Sequence, residues 1–188
     1  PESPPTTSYN HLGNKLATIA GFNLEGVDAQ VGKDVAMQVA SMNPIAVDRD
    51  SVAKSIVEAE YNVAVEKTKE EQVKKAVEAA LKKGGINPNL VDSEDHISSN
   101  IAKGWLTEEE ADKARKIAKE TAEAKAANLP EQMIQNIANG RVNKFYKENC
   151  LMEQEFIKDG NLTIGKYLEQ AQKGLVVVTF KRVNLNED

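Results

Sequence analysis

The spacing of apolar positions changes several times along this chain, and each change marks an element. Leu16-Ala17-Thr18-Ile19-Ala20-Gly21-Phe22 is a short apolar run bounded by Asn and Gly, which predicts a strand buried on at least one face. Residues 1–8 ahead of it are rich in Pro, Ser and Thr and read as an extended or disordered linker. From Asp28 to Met42, Val31, Val35, Met37, Val39 and Met42 recur among polar residues, predicting a helix whose apolar arc covers the strand, and Pro44 stops it. Asp48-Arg49-Asp50-Ser51 offers N-caps for a helix that meets no Gly or Pro before Gly84. That is roughly 33 residues, or about 50 Å. Ile56, Ala59, Val63, Val73, Val77, Ala80 and Leu81 lie near seven-residue spacing, broken by Glu66 and Glu70. Such a helix is expected to project and to pair with a returning one.

Gly84 to Leu90 reads as a turn, followed by a short helix from Asp92 or Ser93 to Lys103. Trp105 then stands between two helices, where local core is the plainer expectation and an interface anchor the alternative. Thr107-Glu108-Glu109-Glu110 is a capping box with Leu106 as its staple, opening an Ala-rich helix to about Ala127. Pro130 opens another, apolar along Met133, Ile134, Ile137, Ala138 and Phe145. Past Cys150 the pattern predicts a strand or an extended segment at Leu151–Ile157, a turn at Asp159-Gly160-Asn161 and a short helix capped by Thr163. The densest strand signal is Leu175–Val183. The layout is an α+β fold, with an antiparallel sheet of about three strands packed with helices. Residues 9–48 and 150–185 form its core subdomain, and a helical hairpin, 49–149, is inserted between them.

Composition narrows the function. Of 188 residues 24 are basic and 29 acidic, net −5, which counts against a protein built to bind nucleic acid directly. Aromatics are only 5%, so the core must be built from Ala, Val, Leu and Ile. A single cysteine forbids an internal disulfide and points to a reducing, cytoplasmic setting. No apolar run approaches the ~20 residues of a membrane span, so no membrane partner is expected. The start at Pro1 has neither a Met nor a signal-peptide layout and is expected to be the cut end of a longer protein. His11 and His96 lack companions at metal-ligand spacing, and Asp92-Ser93-Glu94-Asp95 is a helix start without the Gly and Glu of a calcium loop. Cys150 is expected to be a small buried hydrophobe, with no base beside it to make it a nucleophile. No catalytic residue, cofactor or metal is therefore expected. The residues alone describe an interaction protein, with a homodimer left open.

Gly140-Arg141-x-x-Lys144-Phe145 followed by Cys150-Leu151-x-x-Gln154-x-Phe156 is far more specific. So are Ser8-Tyr9-Asn10-His11-Leu12-Gly13-Asn14-Lys15-Leu16, Val31-Gly32-Lys33-Asp34-Val35-Ala36-Met37-Gln38-Val39-Ala40 with Asn43-Pro44, and Thr163-Ile164-Gly165-Lys166-Tyr167-Leu168. In this order the strings closely resemble the bacterial elongation factor Ts family. The resemblance implies a guanine-nucleotide exchange factor of translation that acts by binding elongation factor Tu and catalyses nothing with its own side chains. It also implies partner contacts at His11, Asn14 and Lys15. Lys15 stands where the family often has Arg, and an ammonium cannot make the bidentate fork of a guanidinium. The plainer reading of these three residues is the polar entry to a strand. The family's Thr-Asp-Phe-Val motif, whose Phe wedges into the partner's GTPase domain, occurs nowhere in this chain. The resemblance therefore implies that an upstream core half lies outside it and that the half present docks on a β-domain of the partner. Extra helix between about Lys67 and Ala127 makes the hairpin longer than the family's short form.

Overall fold

In the computed structural model, which describes residues 4–11 and 16–184, the chain is α+β. Its elements are β1 (Thr6–His11), β2 (Leu16–Phe22), α1 (Ala29–Met42), α2 (Lys54–Lys83), α3 (Glu94–Ala102) and α4 (Glu108–Ala127). After these come α5 (Glu131–Asn149), β3 (Glu155–Phe156), β4 (Asp159–Thr163), α6 (Ile164–Ala171) and β5 (Val177–Asn184). Two compact units divide it, Pro1–Glu60 with Val142–Asp188, and Tyr61–Arg141.

In the first unit β2 is the middle of a three-stranded antiparallel sheet ordered β1-β2-β5. Period-two alternation sends Leu16, Thr18, Ala20 and Phe22 inward, where all four are buried, and Ile19 outward. Helix α1 lies on the inner face, capped by the Asp28 carboxylate on the Gln30 N–H and closed by Asn43 in the left-handed region at φ 44°. Its approach to β1 depends on Gly32, where a Cβ would stand 2.3 Å from Thr7 Oγ1. Val31, Val35 and Val39 then meet Ala20, Phe22, Leu151, Phe156, Ile164, Leu168, Leu175 and Val177 in one core.

Two polar residues on α1 are buried with these valines. Asp34, only 5% exposed, accepts from Lys158 Nζ and Tyr167 OH at 2.6 Å each and from Gln30 Nε2 at 2.8 Å. Burial pushes its carboxyl up, but the hydrogen bonds from Lys158, Tyr167 and Gln30 outweigh this and leave it below the usual carboxylate range. Gln38, fully buried, donates to Glu155 O at 2.9 Å and accepts from Ile157 N at 3.0 Å. Together they fasten the β3–β4 hairpin and α6 to the helix.

Several expectations are corrected here. Thr6–Ser8, read as linker, open β1 because β2 supplies their ladder partners. Asp48 caps a separate 3₁₀ turn, Arg49–Ser51, and α2 begins only at Lys54. Asp159-Gly160-Asn161 is not a free turn but enters β4, paired through Phe156↔Asp159. Of the segment 151–157, read as a strand or an extended segment, Leu151–Glu153 is a 3₁₀ turn and Glu155–Phe156 is strand. Beside the turn Cys150 is buried with Ala46 and Val52. Burial pushes its thiol up to about 11, so it is protonated at neutral pH and no nucleophile.

In the second unit the heptad seam is the buried face only at its C-terminal end, where Leu81 is buried with Val77 packed beside it. Earlier in α2 the seam fails: Val63 is 51% exposed, whereas Ala64 and Thr68 are buried. Small residues one turn apart allow closer packing than the branched seam, and the Thr68 hydroxyl returns to Ala64 O at 2.6 Å. Leu81, Ile86 and Ala114 form one cluster, and Ile97, Leu106 and Ala111 another, so the staple expected at Leu106 is present. Trp105, in contrast, is not local core: it is 62% exposed, and Leu106 fills the place expected for it.

Asp34→Asn is expected to lower stability at pH 7 by about 1–3 kcal/mol, because partners of a buried carboxylate lose its charge. A carboxylate held below its ordinary value of 3.8 stabilises the fold above that pH and stops doing so as pH falls through its lowered value. Chemical denaturation from pH 7 to pH 2 should show the deficit shrinking with acid, and a constant deficit would contradict the network. Cys150 should resist iodoacetamide at pH 8 in the native protein and react fully once unfolded. Equal rates would show that it is not enclosed.

Candidate functional site

Of the residues expected to contact a partner, the structure describes the backbone of His11. His11 is the last paired residue of β1, opposite Leu16. Asn14 and Lys15 belong to the connection, 12–15, which lies outside the described residues. The structure thus places His11 at a strand end, one connection away from the buried Leu16, and leaves the juxtaposition of the three side chains as an expectation.

The strands on either side of the connection are held to α1. Thr18, buried in the middle of β2, donates its hydroxyl to Ala36 O of α1 at 2.8 Å. Asn10 pairs with Ala17, and Tyr9 with Thr18, so β1 is laddered to its last residue. At the far side Arg182 of β5, opposite Thr18, donates to Ala40 O at 3.4 Å. The corner is therefore fixed to α1 from both flanking directions, as a rigid contact surface requires.

One face of the sheet meets α1. On the opposite face the ladder sets Ser8, Ile19 and Lys181 in one row and Asn10, Ala17 and Val183 in the next. Ile19 is 43% exposed and Val183 37%. Sequence reasoning did not single out these two, because the run 16–22 is read as buried on at least one face and 175–183 as a dense strand, without asking which positions of each face outward. The signal that could have found them is alternation: β2 has one buried set, so its other set needs a cover or meets water. The exposed row is small and β-branched with one ammonium, a composition suited to a flat protein contact rather than to proton transfer or to metal binding.

The family-like strings themselves turn out to be scaffold. Cys150, Leu151, Gln154 and Phe156 are all buried, and Gln154 donates to Glu148 O at 2.9 Å while its own carbonyl accepts from Ile164 N. Arg49 grips Glu153 through two bonds of 2.8 and 2.7 Å and lies 4.7 Å above the Tyr146 ring. Arg141 pairs with Glu71 within the second unit. His96 is exposed and pairs with Asp92 one turn away. Among the described residues no group of three His, Cys, Asp or Glu is placed to hold a metal ion, and no helix is long and apolar enough to cross a membrane.

A sequence profile of the family described as Elongation factor TS matches residues 3–94 and 80–187, in two overlapping segments. Over its whole length the chain is 55% identical to the elongation factor Ts of Bacteroides fragilis (strain YCH46) and covers 57% of that protein. It is 54% identical to that of Bacteroides thetaiotaomicron, again covering 57%. With the elongation factor Ts of Porphyromonas gingivalis (strain W83) it shares 35% identity over 96% of this chain and 45% of the relative. The chain thus spans little more than half the length of the curated relatives it matches. Matches that run through both units, on a sheet and helix held together by the strings quoted above, show that the chain belongs to the elongation factor Ts family.

Proposed function

We propose that the protein to which this chain belongs binds elongation factor Tu in the cytoplasm and promotes release of GDP from it, without covalent or proton-transfer chemistry of its own. The observation that carries the reading is the family match across almost the whole chain. It is supported by a rigid sheet corner whose open face offers apolar and hydroxyl groups. His11, Asn14 and Lys15 are the contact residues of this reading. Residues 49–149 are its inserted helical arm, and 9–48 with 150–185 its docking subdomain.

Exchange of this kind is linkage. A factor that binds the nucleotide-free partner more tightly than the loaded one weakens nucleotide binding by the same ratio by which nucleotide weakens its own. Surface complementarity is the only chemistry needed. The Thr-Asp-Phe-Val wedge does not occur in these residues, so the chain by itself binds the partner and exchanges poorly.

Stopped-flow release of a fluorescent GDP analogue from elongation factor Tu checks this. The 188-residue chain should bind yet accelerate release far less than an intact family member, and comparable acceleration would refute the division of labour. Changing His11 and Lys15 together to Ala should weaken calorimetric binding at least about tenfold. Unaltered affinity would move the contact elsewhere. A helical scaffold with no GTPase partner is the competing reading, and it predicts no binding at all.

A further inference from the structure

Helix α5 carries a glycine that no contact among the described residues explains. Gly140 stands near the middle of this 19-residue helix, exposed, with no heavy atom within 4 Å of where a Cβ would be. Other glycines are crowded: Gly32 lies against Thr7, and at Gly84 a Cβ would stand 2.9 Å from Ile117 Cδ1. Gly140 has neither such crowding nor a left-handed φ. Inside a helix, glycine destabilises relative to alanine because it has more backbone freedom to lose. A bare backbone kept at that cost, in open space, suits the close approach of something outside the chain.

The helix face around it has an unusual charge. At 3.6 residues per turn, Gln132, Asn136, Asn139, Gly140, Lys144 and Lys147 share one arc of about 140°, and all six are exposed. None is a carboxylate, in a chain with 29 acidic residues against 24 basic. The two acidic residues of the helix, Glu131 and Glu148, stand at its ends and outside the arc. Lys144 reaches Glu148 only at 3.7 Å, an exposed pair of little strength. Gln132 donates to Asn136 at 3.0 Å, which lines up amides along the face. The face thus offers amide groups and two ammonium groups, with no side chain at its centre to hold a partner off.

We infer that this face of α5 is a further contact for the GTPase partner proposed above, and that it receives a carboxylate-bearing helix lying close against Gly140. The inference rests on that reading and adds a contact that His11, Asn14 and Lys15 do not cover. Helices that meet over a glycine reach the short end of the usual separation of about 8–10 Å. Backbone and Cα–H contacts then add to those of the side chains. Lys144 and Lys147 pair with the incoming carboxylates, and Asn136 and Asn139 bond its polar groups. A nucleic-acid strand is the poorer occupant. Phosphates gain from clustered cations, and this arc holds two, with no aromatic ring on which a base could stack.

Gly140→Ala separates stability from binding. It should raise Tm by about 2–4 °C, yet weaken calorimetric affinity for elongation factor Tu at least about tenfold. A lowered Tm would show that the fold itself needs the glycine, and unchanged affinity would show that nothing approaches it. Either result overturns the inference. Lys144→Glu combined with Lys147→Glu should also weaken binding at least about tenfold, more at low salt than at high. Its circular dichroism should match the parent, and affinity indifferent to the reversed charges would overturn the inference as well. The variant with His11 and Lys15 changed to Ala is the reference arm. Weakened binding there, beside unaltered binding by the α5 variants, ends this inference alone. A parent chain that does not bind at all ends the reading on which it stands, and the inference with it.

Discussion

The first unit depends on how closely α1 lies on the sheet and on the polar groups it carries beneath it. A bare backbone at Gly32 lets the helix descend onto Thr7. Once it is there, Asp34 and Gln38 are out of water and must find partners in the protein. Those partners, Lys158, Tyr167, Glu155 and Ile157, all come from the far end of the sequence. Apolar contact would hold the helix down, but hydrogen bonds specify where along it the distant hairpin sits. A side chain larger than hydrogen at Gly32 would lift the helix and loosen these bonds together.

Legibility in the sequence followed the range of the interaction. Caps and turns are local: Ser93, Thr107 and Thr163 each receive the N–H that their helix starts require, so those boundaries could be read directly. The α+β architecture was equally open to reading, because the apolar period changes abruptly near Cys150. Facing choices were harder. Seven-residue spacing on α2 found Val77 and Leu81, but it also favoured Ile56 and Val63, which are exposed where the helix buries Ala64 and Thr68 instead. Trp105 escaped for a related reason. Its type predicted burial, but the Gly104 cap and the adjacent Leu106 together turn it outward.

The expected contact residues were reached by resemblance rather than by pattern. His11, Asn14 and Lys15 carry no chemistry that spacing alone could identify, and only the placement of His11 at the end of β1 is described. Surfaces that act by fit leave weak marks in one sequence, since exposed positions tolerate many residues. Cys150, Leu151, Gln154 and Phe156, in one of the strings that made the family legible, are buried instead, because packing constrains residue type more tightly than a flat contact does.

Among the described residues the sheet is bounded by β1 and β5, and each margin carries a different guard. Pro4 and Pro5 lead into β1 and bring no amide hydrogens that a foreign strand could use. Along β5, Lys181 and Arg182 place adjacent positive charges, so antiparallel addition of the same strand from another molecule would set like charges against each other. Both devices disfavour the addition of a foreign strand at the sheet's margins.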